Sequence, residues 1–254
     1  MKKLLNQLQD KKANQVKSLA VLIDPDKTSD LGKLMRLINL CVENKVDYLL
    51  VGGSLITNDN FSRVVSIIKS NCEIPVVIFP GNHIQIDSNA DAIFLLSLIS
   101  GRNPDFLIGQ HVLAAPVLKK SKLEIIPMGY MLVNSGVPTS ASYMSNTVPL
   151  PANKPTIAAC TAMAGEMLGM QTIYLDAGSG ADEPIPQKLI STVARSIEVP
   201  LVVGGGLNSI SRVNKALEAG ADLIVIGNAI EKEENFLIQV SDRIHSINKN
   251  LDIH

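Results

Sequence analysis

The sequence predicts a single-domain (β/α)8 barrel spanning residues 1–254, and three observations lead there. Eight short apolar runs recur along the chain, most of them followed by a helical pattern; such strands with helical crossovers read as a parallel sheet covered on its outside. Eight such units in 254 residues match the usual size of that barrel. The two halves also echo each other. DYLLVGGS (47–54) resembles IYLDAGSG (173–180), EIPVVIFPGN (73–82) resembles EVPLVVGGGLN (198–208), and NADAIFLLS (89–97) resembles GADLIVIGN (220–228), in similar order and spacing. A doubly wound open sheet is the competing class. It gives no reason for eight similar units, and GGGLNS is not a GxGxxG fingerprint.

Residues 2–12 read as a short amphipathic helix, with Leu4, Leu5 and Leu8 on one face to cover an end of the core. The first strand is 19–23, and Pro25 stops it in a fixed turn. Asp30 is a plausible N-cap for a helix reaching residue 44. Strand 48–51 ends in Gly52-Gly53-Ser54 and is followed by a helix over 60–70. Strand 75–79 closes with Pro80-Gly81-Asn82, and the connection 83–90 is too short for a full helix, so the third crossover is expected as a loop. Strand 92–96 leads to a helical stretch at 104–118, and strand 124–130 to a long Ser, Thr and Pro-rich segment, 134–151, expected as a mobile loop. A helix over 155–170, strand 172–175, strand 200–203 with helix 209–219, and strand 223–226 with a terminal helix complete the chain.

Composition narrows the function classes. With 46% hydrophobic and 19% charged residues a large core is easily built. A net charge of −1 and 4% aromatic residues give nucleic-acid binding little support. Cys41, Cys72 and Cys160 are odd in number and widely spaced, which fits a reducing cytoplasm rather than a disulfide framework. The N-terminus lacks the apolar run of a secretory signal, and no run approaches the roughly 18 apolar residues of a membrane span. A soluble cytoplasmic protein is the expectation.

In such barrels chemistry sits at the C-terminal strand ends, with phosphate near strands seven and eight. Here those strands end in Gly204-Gly205-Gly206 and Gly227-Asn228, and strand six ends in Asp176-Ala177-Gly178-Ser179-Gly180. Glycine lets backbone N–H groups close around one anion, so the three ends together suggest a phosphate cradle. Asp24 ends strand one; it is either a turn cap or a carboxylate for Mg²⁺, with Ser54 on the next strand as its neighbour. Asp176 beside the cradle is placed to accept a hydroxyl proton, and Tyr174 faces either core or ligand. No lysine stands at a strand end except Lys27 beyond its turn, which disfavours Schiff-base chemistry. His83, His111, His245 and His254 show no metal spacing. The fourth and fifth strand ends, Phe94-Leu95-Leu96 and 128–133, are greasier than a sugar-phosphate site needs, which points to a hydrophobic groove leading away from the phosphate end.

These motifs, LAVLIDPDK (19–27), LLVGGSLIT (49–57), IPVVIFPGN (74–82), PMGYMLVNSG (127–136), TIYLDAGSGA (172–181), VVGGGLNS (202–209) and IVIGNAIE (224–231), are together similar to those of the geranylgeranylglyceryl phosphate synthase family, which includes PcrB-type heptaprenylglyceryl phosphate synthases. The resemblance covers nearly the whole chain. It implies a barrel whose third helix is replaced by a loop. It also implies Mg²⁺-dependent transfer of a prenyl group, C20 by the overall pattern, from a prenyl diphosphate to the C3 hydroxyl of sn-glycerol 1-phosphate, in a homo-oligomer (dimer or hexamer) that touches membrane surfaces transiently. By matching motif, Asp24 and Ser54 would take the metal, Asp176 would act as base, and Tyr174, Leu175, Asp176, Ala177, Gly178, Ser179, Gly180, Gly205, Gly206, Gly227 and Asn228 would hold glycerol phosphate. Two departures stand out. Asp176 replaces a Glu of many relatives, and Leu22 occupies a position where some carry a substrate-binding Lys. A phosphosugar isomerase or lyase, and a barrel that binds phosphate without chemistry, are the alternatives.

Overall fold

The computed structural model describes residues 3–227, 229–230 and 233–251. Eight parallel strands close into a barrel in sequence order. They are β1 (Ser18–Ile23), β2 (Tyr48–Val51), β3 (Val76–Ile78), β4 (Ala92–Leu98), β5 (Glu124–Leu132), β6 (Thr172–Asp176), β7 (Leu201–Gly204) and β8 (Leu223–Ile226), and β8 pairs back onto β1 through Ala20↔Val225. The helices are α1 (Lys3–Ala13), α2 (Leu31–Glu43), α3 (Phe61–Asn71), α4 (Gln110–Lys120), α5 (Ser140–Ser145), α6 (Pro155–Met167), α7 (Gln187–Ala194), α8 (Ile210–Glu218) and α9 (Glu234–Leu251). No helix lies between Ile78 and Ala92, so the third crossover is the expected loop. Among the described residues no helix is long and apolar enough to cross a membrane.

Strand alternation sorts side chains into two cores. Ala20, Leu50, Val77, Phe94, Met128, Tyr174 and Val202 point inward and fill the barrel. Their neighbours Val21, Leu49, Ile78, Ile93, Leu175 and Val203 point outward against the helices. The inner core is closed at the N-terminal strand ends by α1, whose Leu4, Leu5 and Leu8 are buried in the same cluster. Glu124 at the foot of β5 fixes this plug by accepting the α1 amides of Leu4 and Leu5, each at 2.8 Å. A carboxylate there satisfies two of the orphan donors that every helix start leaves.

The sequence echo has a physical content at this same end. Asp47, Asp91 and Asp222 each stand just before an even-numbered strand, and each accepts the amide of the first or second residue of the preceding odd strand: Leu19 at 2.8 Å, Val76 at 2.8 Å and Leu201 at 2.9 Å. Each is also paired with lysine: Asp47 with Lys11, Asp91 with Lys69, and Asp222 with Lys12 and Lys17. Position 171, the equivalent before β6, is glutamine.

Three expectations need correction. Segment 134–151 is not wholly irregular: Thr139 and Ser142 form a reciprocal capping box that starts α5, and Leu150 bridges back to Val133. The Ser and Thr content that suggested a loop is the capping chemistry of a short helix. The stretch before α4 begins as a π-helical turn, Asp105–Gly109, and α6 ends at Met167, three residues before the predicted end.

Candidate active site

The C-terminal mouth of the barrel brings together the ends of β1, β2 and β5 to β8. On β6 the inward positions are Thr172, Tyr174 and Asp176, so strand alternation aims both Tyr174 and Asp176 into the barrel rather than outward. Tyr174 is therefore inner core: its ring meets Phe79 and Tyr130 at centroid distances of 5.4 and 5.6 Å. Its hydroxyl end fills the space beside Gly204, where an added Cβ would lie 2.1 Å from the phenolic oxygen.

Asp176 is buried, with 8% of its surface exposed. Its Oδ1 accepts the amide of Gly178 at 2.7 Å, and its Oδ2 accepts the hydroxyl of Tyr130 from β5 at 2.6 Å. Burial raises the Asp176 carboxyl above its ordinary range, while the Tyr130 and Gly178 hydrogen bonds pull it back down. Burial, and the charge of Asp176, push the Tyr130 and Tyr174 phenols far up, so both stay protonated.

The glycines gather against this carboxylate. Gly178, Gly205 and Gly206 have φ values of +92°, +77° and +66°, the left-handed region that glycine enters without steric cost. At Gly205 a Cβ would come within 2.6 Å of Asp176 Oδ1 and 2.7 Å of the amide nitrogens of Ala177 and Gly178, so the β6 and β7 loops touch there backbone to backbone. Gly178 lies equally close to Thr139, the N-cap of α5. Leu175, Ala177 and Gly178 are buried, while Ser179 and Gly180 reach the surface. A Cβ added at Gly227, at the end of β8, would lie 3.6 Å from the Leu22 Cβ on β1. Asn228 lies outside the described residues.

Asp24 caps the turn Pro25–Lys27 by accepting the Asp26 amide at 3.1 Å, so the turn role anticipated for it is real. It is also half-buried, which raises its carboxyl above the ordinary range, and Lys27 approaches no nearer than 3.9 Å. Across from it Gly53 brings the end of β2 within 3.5 Å of Asp24 Oδ1, measured from where a Cβ would stand. Ser54 follows at the same rim. Among the described residues no group of three His, Cys, Asp or Glu side chains could enclose a metal. One carboxylate beside a hydroxyl residue fits Mg²⁺ held jointly by water and substrate phosphate oxygens, not a closed protein cage.

From this rim an apolar groove runs out through the side of the barrel where the third helix is absent. It begins at Gly53, Ser54 and Tyr130, passes Phe79 and Leu96, and reaches Ala114 and Leu118 of α4; its empty space is about 850 Å³, counting the part open to solvent. Ala141 and Met144 of α5 line it as well. The greasy strand ends predicted a groove, but its walls differ from the expectation. Of the 128–133 stretch only Tyr130 faces it, because Met128, Met131, Leu132 and Val133 are buried within the barrel and its outer core. The wall contributed by α4, including Gln110 and His111, carried no signal in the sequence, since an outer barrel helix normally packs such residues against its neighbours. The Tyr130–Asp176 bond was missed for a similar reason: it depends on cross-strand register.

A model of the PcrB family matches residues 12–249. A protein of Chitinophaga pinensis named geranylgeranylglyceryl phosphate synthase is 50% identical over 244 residues, 96% of either chain, and one of the same name from Pyrococcus furiosus is 47% identical over 214 residues, 83% of either chain. The crystal structure of (S)-3-O-geranylgeranylglyceryl phosphate synthase from Thermoplasma acidophilum, in complex with its substrate sn-glycerol-1-phosphate, superposes with a TM-score of 0.89 at 28% identity, covering 96% of this chain and 99% of that one.

Proposed function

The chain belongs to the PcrB family, and from that premise we propose that it is a cytoplasmic prenyltransferase joining a long prenyl chain, geranylgeranyl by preference, to the C3 hydroxyl of sn-glycerol 1-phosphate. The observation that carries this reading is the junction at Tyr130. A glycine-lined seat and a buried carboxylate lie on one side of it, and an oily groove leaves from the other. A phosphosugar isomerase has no use for such a groove.

In this mechanism the left-handed glycines of the β6 and β7 loops, with Gly227, seat the acceptor phosphate. Seating it places the C3 hydroxyl between Asp176 and the first carbon of the prenyl diphosphate. An ether bond forms from that oxygen to the carbon, the bond from carbon to diphosphate oxygen breaks, and diphosphate leaves with the electron pair. Asp176 takes the hydroxyl proton. Asp24 and Ser54 would hold Mg²⁺, which when bound neutralises charge gathering on the leaving diphosphate. Phe79, Leu96 and Met144 enclose the tail and keep water from the reacting carbon. Holding both reactants at one junction supplies much of the rate by proximity.

The test is direct. Purified protein with sn-glycerol 1-phosphate, MgCl₂ and radiolabelled geranylgeranyl diphosphate should yield an organic-extractable phosphomonoester ether, less of it with farnesyl diphosphate, and none with EDTA. Release of free geranylgeraniol or no extractable product at all would refute the transfer. A homo-oligomer is proposed with it, checked by light scattering.

A further inference from the structure

We infer that Tyr130 is the positioning residue of the proton-accepting carboxylate: its hydroxyl holds Asp176 in line with the acceptor, and its ring makes the prenyl groove part of the same device. The inference rests on Asp176 acting as the base proposed above.

Asp176 is inward-facing and buried, and such a carboxylate needs donors to stay ionised. It has one on each oxygen: the Gly178 amide on Oδ1 and the Tyr130 hydroxyl on Oδ2. Each oxygen offers two lone pairs, so one bond apiece fixes the plane of the carboxylate and still leaves a free acceptor direction for a substrate hydroxyl. The amide comes from the phosphate loop itself. Tyr130 comes from the neighbouring strand, where it pairs with Tyr174 and reaches diagonally toward Asp176.

The ring of Tyr130 is held edge-on to Phe79 at 6.0 Å and to Tyr174 at 5.6 Å, so the hydroxyl cannot leave Asp176 without disturbing both contacts. Phe79 and Tyr130 also line the groove. A prenyl tail packed on that face presses the phenol toward the carboxylate, which ties occupancy of the groove to the readiness of the base. The titratable groups facing Asp176 among the described residues are Tyr130 from β5 and Tyr174 from β6; the β7 side contributes Gly205, and Thr139 of the α5 cap lies behind Gly178.

Tyr130→Phe keeps the ring and its packing and removes only the hydroxyl. Expected are an unchanged fold by circular dichroism, a KM for sn-glycerol 1-phosphate within about twofold of wild type, and a kcat reduced by about tenfold or more, part of what a general base supplies. The acid limb of the kcat/KM profile should move to higher pH, because the lost hydrogen bond lowered the Asp176 carboxyl. A second readout needs no turnover. In protein labelled with ¹³C-carboxyl aspartate, the Asp176 signal, identified by its loss in Asp176→Asn, should titrate at higher pH in Tyr130→Phe than in wild type. Tyr130→Leu should in addition raise KM for the prenyl diphosphate. If wild type makes product while Tyr130→Phe keeps its kcat, pH profile and carboxyl titration, the positioning role is wrong. If the carboxyl titration shifts but wild type makes no ether, the positioning role stands and the proposed reaction falls.

Discussion

Replacing Gly205 by alanine isolates what the glycine seat does. Its φ of +77° alone costs a side chain about 1–2 kcal/mol. The new methyl would also stand 2.6 Å from Asp176 Oδ1 and 2.7 Å from the amides of Ala177 and Gly178, roughly 0.7 Å inside ordinary contact, and two of those three neighbours are backbone. The β6 and β7 loops must therefore part by several tenths of an ångström, and the carboxylate and the phosphate seat shift relative to each other. A misplacement approaching 1 Å costs about 10²-fold in rate, so kcat/KM for sn-glycerol 1-phosphate should fall by that order. Gly169 provides the control. Its φ is +95°, but a Cβ there meets nothing within 4 Å, and it lies between α6 and β6 at the opposite end of the barrel. Gly169→Ala should lose comparable stability, about 1–2 kcal/mol, a fall of about 2–8 °C in Tm for a chain of this size, and keep its activity. Thermal melts by circular dichroism and initial rates of ether formation measure both. Equal activity losses in the two variants would show that backbone strain, not the closeness of the two loops, explains the effect.

Other outcomes follow from the same geometry. Asp24→Asn should abolish Mg²⁺-dependent diphosphate release, followed with a coupled phosphate assay, while the melt stays within a few degrees of wild type. Met144→Glu places a charge in the groove from a partly exposed helix position, so KM for the prenyl diphosphate should rise at least about tenfold, the cost of burying a charge, with KM for the acceptor unchanged. Asp222→Ala orphans the buried Leu201 amide and frees Lys12 and Lys17; about 2–3 kcal/mol is expected, or roughly 5–10 °C in Tm, with no change in KM. The Asp176 carboxyl is raised in the folded state. Both states are thus protonated below the unfolded value of 3.8, and native stability declines as the pH rises toward the folded value. Asp176→Asn should accordingly be inactive yet melt above wild type at pH 8, with the gap closing as the pH approaches 3.8.

What the sequence revealed and what it hid divide along one line. Strand number, the missing third helix and the glycine-rich strand ends were legible because each depends on local chemistry: apolar runs, a connection too short for a helix, and residues that tolerate positive φ. The half-barrel echo was legible too, and its anchor proves to be three aspartates, Asp47, Asp91 and Asp222, each tying one strand start to the previous strand. Contacts set by register were not legible. Nothing in PMGYMLVNSG says that Tyr130 reaches across to Asp176 while its neighbours Met128 and Met131 turn into the two cores. Nor does the α4 sequence say that Gln110, His111 and Ala114 line a groove, since that follows from a helix absent 20 residues earlier.

That absence explains how a barrel can handle a lipid. A closed barrel offers its chemistry a mouth lined by loops, suited to small polar molecules, and its interior is filled with side chains. Here the interior is filled as usual, from the α1 plug up to Tyr174, so no tail can enter along the axis. Without a helix outside β3 and β4, the outward-facing Leu95 loses its usual cover and joins Phe79 and Leu96, which pack on the inner core, in an apolar surface that becomes a sideways exit from the mouth. The polar half of the site needs no alteration, because the proposed phosphate seat stands on β6 to β8, away from the gap. Refilling the gap should separate the two halves. A helical crossover grafted in place of residues 80–90 should leave sn-glycerol 1-phosphate binding intact by calorimetry and abolish transfer from geranylgeranyl diphosphate; retained transfer would place the tail elsewhere.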